Sequence, residues 1–496
     1  MKKPIAAIIA ALLLASALIS CGDDSKAVDT NANIEGQNGS VTAAAESTEP
    51  SRENTPDNLP SDLDFGEKTL NIIYYGIDDS HNYDAVGESG GDIVYDAVYN
   101  RNLSVEERLA VRLDWLRGKD NWDEYPAQIK TLMLAGSSDY DIVLMENSRL
   151  FQQSLEGYYK DLVNAPYIDY EMPWWYSALM EEGAIDLSKR FYLSGDIAMT
   201  TMFGASAIYY NKEIFENYYG DNSVLYTSVK DGLWTHDRFM DYCRGVYTDL
   251  DGNSEPNDED RFGFVYTQWG VPNYLSMSIG TGFITRDSEG LPVLDINNEI
   301  SVKWVETLNK LLYTDNMSFD STDAKYSMFR TSRALFSITM MSAANGLRDL
   351  EFEYGILPYP KLTENLDYMS GAATANGNGV AIPVSSLSDN YEASCAVIEA
   401  LCAESYRKVV PAWYDTALKI KYISTDVDAQ MVDLIYEHIN SPFIMIADKA
   451  IGIGSIFTNI VFGKKGSADF ASYWAKNEPK FQKSWDKMID SYLSIG

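Results

Sequence analysis

The stretch KTLNIIYY, residues 68–75, is an apolar run closed by Gly76. A run of that length bounded by a glycine reads as a strand buried on both faces. Residues 92–109 follow with helical periodicity, Ile93, Ala97, Leu103 and Leu109 being among the apolar positions. VRLDWL, residues 111–116, alternates and predicts a second strand. Residues 125–134 are helical, and YDIVLM, residues 140–145, is a third buried strand. Strand, helix, strand, helix, strand at this spacing predicts a parallel sheet with crossover helices. Ligands of such open sheets sit outside the carboxyl ends of the strands. Those ends are Tyr74-Tyr75-Gly76 and Met145-Glu146-Asn147.

Working downstream, a second sheet is suggested by residues 205–210, which lead straight into a helix at 211–215. Thr235 is a good N-cap for a helix that places Phe239, Tyr242 and Val246 on one face. Residues 302–312 are helical, 334–338 and 352–357 read as strands, and most of the chain beyond Ser405 is helical. No internal repeat is present.

Working upstream, Lys2 and Lys3 precede an apolar run over residues 5–19. It is shorter than the roughly 20 residues a membrane-spanning helix needs and reads as a secretory signal. Leu18-Ile19-Ser20-Cys21 resembles the bacterial lipobox, which implies removal of residues 1–20 and lipidation of Cys21 as the mature N-terminus. Residues 21–62 contain no aromatic side chain and are dominated by small, polar and acidic residues, so a disordered tether is expected.

The 73 acidic residues against 39 basic ones give a formal charge of -34, which becomes -36 once Lys2 and Lys3 are removed. Nucleic-acid binding needs a basic footprint and is excluded as a function class. Broad docking on anionic lipid is disfavoured for the same reason. Beyond Cys21 there are three cysteines, Cys243, Cys395 and Cys402. The last two lie two helical turns apart, roughly 10 Å, beyond disulfide reach.

Several segments carry a family resemblance. DAVYNRNLSVEER (96–108), LAGSSDYDIV (134–143), IYYNKEIF (208–215), DGLWT (231–235) and YGILPYPK (354–361) together resemble the family 1 extracellular solute-binding proteins, the receptor lipoproteins of bacterial sugar importers. The resemblance implies a two-lobed α/β fold of the type II periplasmic-binding-protein kind, closing on a solute between the lobes. It implies a first lobe from residues 63–203 and 334–377, and a second from 204–333 and 378–496. The implied partners are a sugar or oligosaccharide, ABC permease subunits and the membrane through the lipid anchor. The receptor is expected to be an extracytoplasmic monomer.

Candidate binding residues follow from chemistry and position. Sugar faces present C–H groups that pack on flat aromatic rings, while polar side chains take the hydroxyls. Trp175, Trp269 and Trp413 are candidate stacking surfaces, each with core packing as its alternative. Tyr75, Glu146, Asn147 and Asp196 are candidate hydroxyl partners, with capping or ion pairing as the alternative. Asp249, Asp251, Asn253, Glu255, Asn257 and Asp258 place oxygen groups at near-alternate positions, as a calcium ion requires. That loop resembles the calcium loop of some family members, such as alginate-binding proteins, and a structural role for the ion is expected. The alternative is a solvated acidic turn.

Enzyme signals are sparse: there are three histidines and no H-E-x-x-H, G-x-S-x-G or P-loop pattern. No catalytic residue is assigned. A non-transporting sensor and a surface carbohydrate enzyme stand as rival readings.

Overall fold

The computed structural model describes residues 52–77, 82–321, 327–347, 349–371, 377–414, 425–463 and 467–495. The lipobox and the part of the expected tether before residue 52 lie outside the described residues.

Eleven strands occur among the described residues. They are β1 (Lys68–Tyr74), β2 (Val111–Arg117), β3 (Ile142–Glu146), β4 (Ser206–Asn211), β5 (Phe262–Tyr266), β6 (Ile284–Arg286), β7 (Pro292–Leu294), β8 (Ser318–Asp320), β9 (Ala334–Met340), β10 (Tyr354–Leu357) and β11 (Asn378–Ala381). The first lobe is built on a sheet of order β11-β3-β1-β2 and the second on a sheet of order β10-β4-β9-β5-β8. β6 and β7 form a separate hairpin.

Burial along β1 follows the strand period of two. Leu70, Ile72 and Tyr74 pack with Val105, Leu109 and Ile398 on one face of the sheet. Ile73, with Tyr75 just beyond the strand, packs with Tyr125, Ile129 and Leu150 on the other. Helices therefore cover both faces, as a parallel sheet requires. The helix Ile93–Leu109 starts at Asp92, whose side chain accepts from the backbone N–H of Val94 and Tyr95. Its buried face is Val94, Val98, Arg101, Asn102, Val105 and Leu109, whereas Ile93 and Leu103 face solvent. The expected apolar stripe was thus rotated, because Arg101 occupies an inward position. Its guanidinium donates to the carbonyls of Asp84 (2.9 Å) and Ala85 (3.1 Å) and to Ser405 Oγ (3.2 Å).

Each sheet has a single strand running against the rest. In the first it is β11, antiparallel to β3, and in the second it is β4, antiparallel to both β10 and β9. Both reversed strands follow chain from the other lobe: β4 follows residues 199–205 of the first lobe, and β11 follows the second-lobe stretch whose described residues end at Gly371. Ser206 Oγ donates to the carbonyl of Gly371 (2.7 Å), and Thr201 Oγ1 to that of Asn378 (2.9 Å). The two crossings are bonded to each other, which makes a hinge of limited freedom.

This topology corrects the expected lobe boundaries. Residues 334–357 do not belong to the first lobe, since β9 pairs with β4 and β5, and β10 pairs with β4. Residues after 378 do not all belong to the second lobe. β11 joins the first sheet, and Ala393 to Ala403 of the helix Tyr391–Glu404 pack against Val105 and Leu109. Among the described residues after Tyr414, the helix Asp426–Glu437 is the first to join the second lobe. There Asp428 pairs with Lys212 at 2.8 Å, both side chains being buried.

The tether is also shorter than expected. Leu59 is buried among Leu70, Val105 and Leu109, and Asp57 pairs with Arg108 (2.7 Å) and Arg407 (3.0 Å). Cys243, Cys395 and Cys402 are buried and unpaired. No described helix is long and apolar enough to cross a membrane.

Candidate ligand cleft

The reversed strands bring one end of each sheet to the crossings. In the first lobe the start of β11 is in register with the end of β3, Asn378 opposite Glu146. In the second, the start of β4 is in register with the end of β9, Ser206 opposite Met340. The carboxyl ends of the parallel strands in both lobes therefore open beside the hinge, where an α/β sheet takes its ligand.

On the first-lobe wall, four side chains form a ladder from the interior to solvent. Tyr75, just after β1, donates from its hydroxyl to the Trp122 carbonyl (3.0 Å) and to Glu146 Oε2 (3.3 Å). Burial, and then the neighbouring Glu146 charge, push the Tyr75 phenol well above its ordinary pKa. Arg149, in the first turn of the helix Asn147–Ser154, brings Nε within 3.5 Å of Glu146 Oε2. Its Nη2 donates to the exposed carboxylate of Asp123. The indole of Trp122 lies tilted on Tyr75 at 5.2 Å. A buried acid, a cation and an exposed acid are thus held at fixed spacing.

The second-lobe wall continues from β5. Thr267 Oγ1 accepts from the Gly270 backbone N–H (2.9 Å), which turns the chain into the helix Gly270–Tyr274. Gln268 donates to Asp320 Oδ2 at the end of β8 (2.6 Å). Trp269 is 49% exposed and meets Tyr274 edge-on at 5.3 Å.

Of the seven predicted binding residues, the structure joins Tyr75 and Glu146 directly and sets Trp269 at the strand ends of the opposite lobe. The other four serve the interior. Trp175 is buried in the first lobe, its indole N–H donating to Glu399 Oε2 (3.2 Å). Trp413 is buried against Phe203 at 5.1 Å. Asn147 turns inward, accepting from Ser194 Oγ (2.6 Å). Asp196 is fully buried, accepting from Tyr176 (2.7 Å) and Tyr436 (3.0 Å), and burial lifts its pKa to about 7. Sequence reasoning missed Arg149, Asp123 and Gln268. Arg149 had a usable signal, being three residues past a strand end in the first turn of a helix.

The acidic loop is a separate feature. Carboxylate oxygens of Asp249, Asp251 and Asp260 lie within 4.8 Å of one another. Asp249 accepts from the backbone N–H of Gly252 (2.7 Å) and Ser254 (2.9 Å). Asn257 donates to Asp251 Oδ2 (3.1 Å) and to the Glu255 carbonyl (3.0 Å). Asn253 Oδ1 accepts from the Glu255 backbone N–H (2.6 Å). The third carboxylate is the buried Asp260, which the predicted ligand set omitted. Asp258 instead offers its carbonyl to Arg333 (2.5 Å). Three hard carboxylates with amide oxygens nearby fit a calcium ion, whose place would be between Asp249, Asp251 and Asp260.

No protein-family model and no curated protein matches this sequence. Solved structures do share its fold. The galacto-N-biose/lacto-N-biose I-binding protein of the ABC transporter from Bifidobacterium longum, solved with lacto-N-biose, covers 87% of this chain and 99% of its own. The identity is 12% and the TM-score 0.56. UgpB from Mycobacterium tuberculosis, in complex with glycerophosphocholine, covers 84% of this chain and 99% of its own, at 14% identity and a TM-score of 0.53. The GacH receptor of Streptomyces glaucescens, solved unliganded and with acarbose, covers 84% and 99%, at 11% identity and a TM-score of 0.52. The shared fold is the two-lobed α/β architecture of solute-binding proteins.

Proposed function

We propose that this chain is an extracytoplasmic receptor, anchored by a lipid on Cys21, that binds a carbohydrate between its lobes and delivers it to ABC permease subunits. The observation that carries the reading is the placement of Trp269 and of the Tyr75–Glu146–Arg149–Asp123 ladder at the strand ends beside one hinge. An exposed indole face suits the C–H surface of a sugar ring, and the ladder suits its hydroxyls. Similarly folded proteins solved with lacto-N-biose and acarbose support the carbohydrate class. The mechanism is affinity and lobe closure: the ligand selects the conformation in which both walls touch it, with no bond made or broken.

The test is a thermal-shift screen of the purified protein against a glycan library, followed by titration calorimetry and analysis of the recovered ligand. An oligosaccharide that stabilises the protein and returns uncut supports the receptor. A shortened product would replace it with the enzyme reading, and silence across the library would remove carbohydrate as the ligand class. We further propose a structural calcium ion in the acidic loop, held by Asp249, Asp251 and Asp260.

A further inference from the structure

Residues 52–59 fall within the stretch expected to be tether, and their contacts are unequal in an informative way. Asp57 is held on the first lobe. Its side chain is 4% exposed, and it accepts from Arg108 Nη1 and Nη2, both at 2.7 Å, and from Arg407 Nη2 at 3.0 Å. Arg407 Nη1 also donates to the Thr55 carbonyl (3.0 Å), and Leu59 is inserted into the first-lobe core. A bidentate Arg–carboxylate pair with a second arginine is a geometrically restrictive anchor.

Five residues upstream, Arg52 reaches further. Its guanidinium carbon lies 4.5 Å from the ring centroid of Tyr406 and 5.0 Å from that of Tyr436. Tyr406 belongs to the first lobe, in the segment after the helix Tyr391–Glu404, and packs on Trp174 at 6.0 Å. Tyr436 belongs to the helix Asp426–Glu437, which is fixed to the second lobe by the Lys212–Asp428 pair. Tyr436 also crosses the junction itself, donating to the buried Asp196 of the first lobe at 3.0 Å. One cation therefore sits between an aromatic ring of each lobe, beside a buried carboxyl, on a segment whose other end is clamped to one lobe alone.

We propose that residues 52–59 form a strap that holds the two lobes in register, with Asp57 as its anchor on the first lobe and Arg52 as its clasp on the second. Movement of the second lobe must carry Tyr436 away from Arg52 or drag the strap against its Asp57 anchor. The strap thus restricts lobe movement before any ligand arrives. It uses none of the cleft residues named above and is independent of what the cleft binds.

The experiment measures interlobe distances in the ligand-free full chain by pulsed electron spin resonance. Spin labels go on cysteines introduced as Leu134→Cys and Val224→Cys, both exposed and one on each lobe. The native Cys243, Cys395 and Cys402 are buried. Arg52→Ala is expected to broaden the distance distribution, and Asp57→Asn to broaden it likewise by releasing the anchor. Arg112→Ala, an exposed first-lobe substitution, is expected to leave it unchanged. Hydrogen exchange over the helix Asp426–Glu437 is expected to quicken about threefold to thirtyfold in Arg52→Ala, the range of one desolvated cation–π contact. Native-like distances and exchange in a folded Arg52→Ala protein would overturn the strap. So would broadening by Asp57→Asn alone, which would show that the anchor acts without the clasp.

Discussion

Asn378 donates from Nδ2 to Asp84 Oδ2 at 2.8 Å, tying the strand that returns from the second lobe to the loop that follows β1. Asp84 is fully buried and accepts from Thr200 twice more, at its backbone N–H (2.8 Å) and its hydroxyl (2.6 Å). One carboxylate thus joins both crossings to the first-lobe wall.

Replacing that carboxylate leaves three buried donors unpaired. Asp84→Ala is expected to destabilise the protein by about 3–5 kcal/mol, the cost of removing one partner from a buried charged network. Urea unfolding measures it. A loss below about 1 kcal/mol would show that the junction is held elsewhere.

Trp269→Ala tests the second-lobe wall. The side chain is half exposed, so stability should change by less than about 1 kcal/mol. Affinity for a glycan found in the screen should fall about fivefold or more, since truncating an aromatic anchor typically removes over 1 kcal/mol of binding. Unchanged affinity would take Trp269 out of the site.

Stability should fall as pH rises from about 4 to about 8. Burial raises the pKa of Asp196 to about 7 and that of Glu399 to about 8. Between the unfolded and folded values the native state holds a proton that the unfolded chain releases, so rising pH favours unfolding, by at most about 1.4 kcal/mol per pH unit for each group. The opposing groups are Asp57 and Glu404, whose lowered pKa values, set by burial opposed by their basic partners, withdraw stability as pH falls through the acid range. Urea midpoints at pH 5, 6 and 7 should decline in the wild type and decline less in Asp196→Asn. Parallel slopes would show that Asp196 is ionised throughout.

Calcium should raise the melting temperature, with about 2.7 kcal/mol of stabilisation at a free concentration one hundred times Kd. Magnesium should substitute poorly, because it demands tight octahedral geometry and keeps its waters. Asp251→Ala should abolish the calcium response with little change in chelator. Asp260→Ala should destabilise even in chelator, because Asp260 also accepts from the Leu250 (3.0 Å) and Asn257 (3.1 Å) backbone N–H groups. A calcium response that survives Asp251→Ala would place the ion elsewhere.

Lipidation is tested by fractionation. Cys21→Ala should move the protein from the membrane fraction to the soluble one, and retention in the membrane at wild-type level would remove the anchor.

The elements were legible in the sequence wherever an apolar run was long and bounded, as in β1, β3 and β4. Their partners were less so. ALFSITM (334–340) is equally apolar whichever sheet receives it, and pairing information is not carried by composition. NGVA, the whole of β11, is too short to announce itself. Arg101 reads as a surface residue until its carbonyl partners are seen, since only tertiary structure supplies them. The same holds at the cleft. Glu146 was singled out because it ends a strand, whereas Trp175, Trp269 and Trp413 were singled out alike as aromatics, and the sequence does not say that Trp269 is half exposed while the other two are buried.

The two reversed strands bear on how the chain reaches its native state. The exposed margin of β3 stays uncovered until β11 is available, and Glu146 and its register partner Asn378 are 232 positions apart. The first lobe cannot be excised as one continuous piece, for its sheet lacks β11 until the whole strand set of the second lobe, residues 206–357, has been passed. Such long-range closure is slow and leaves an unpaired strand margin open in the meantime. Completion of the first lobe therefore waits on the second, and a truncation before residue 378 should leave the margin of β3 open and yield an aggregating fragment.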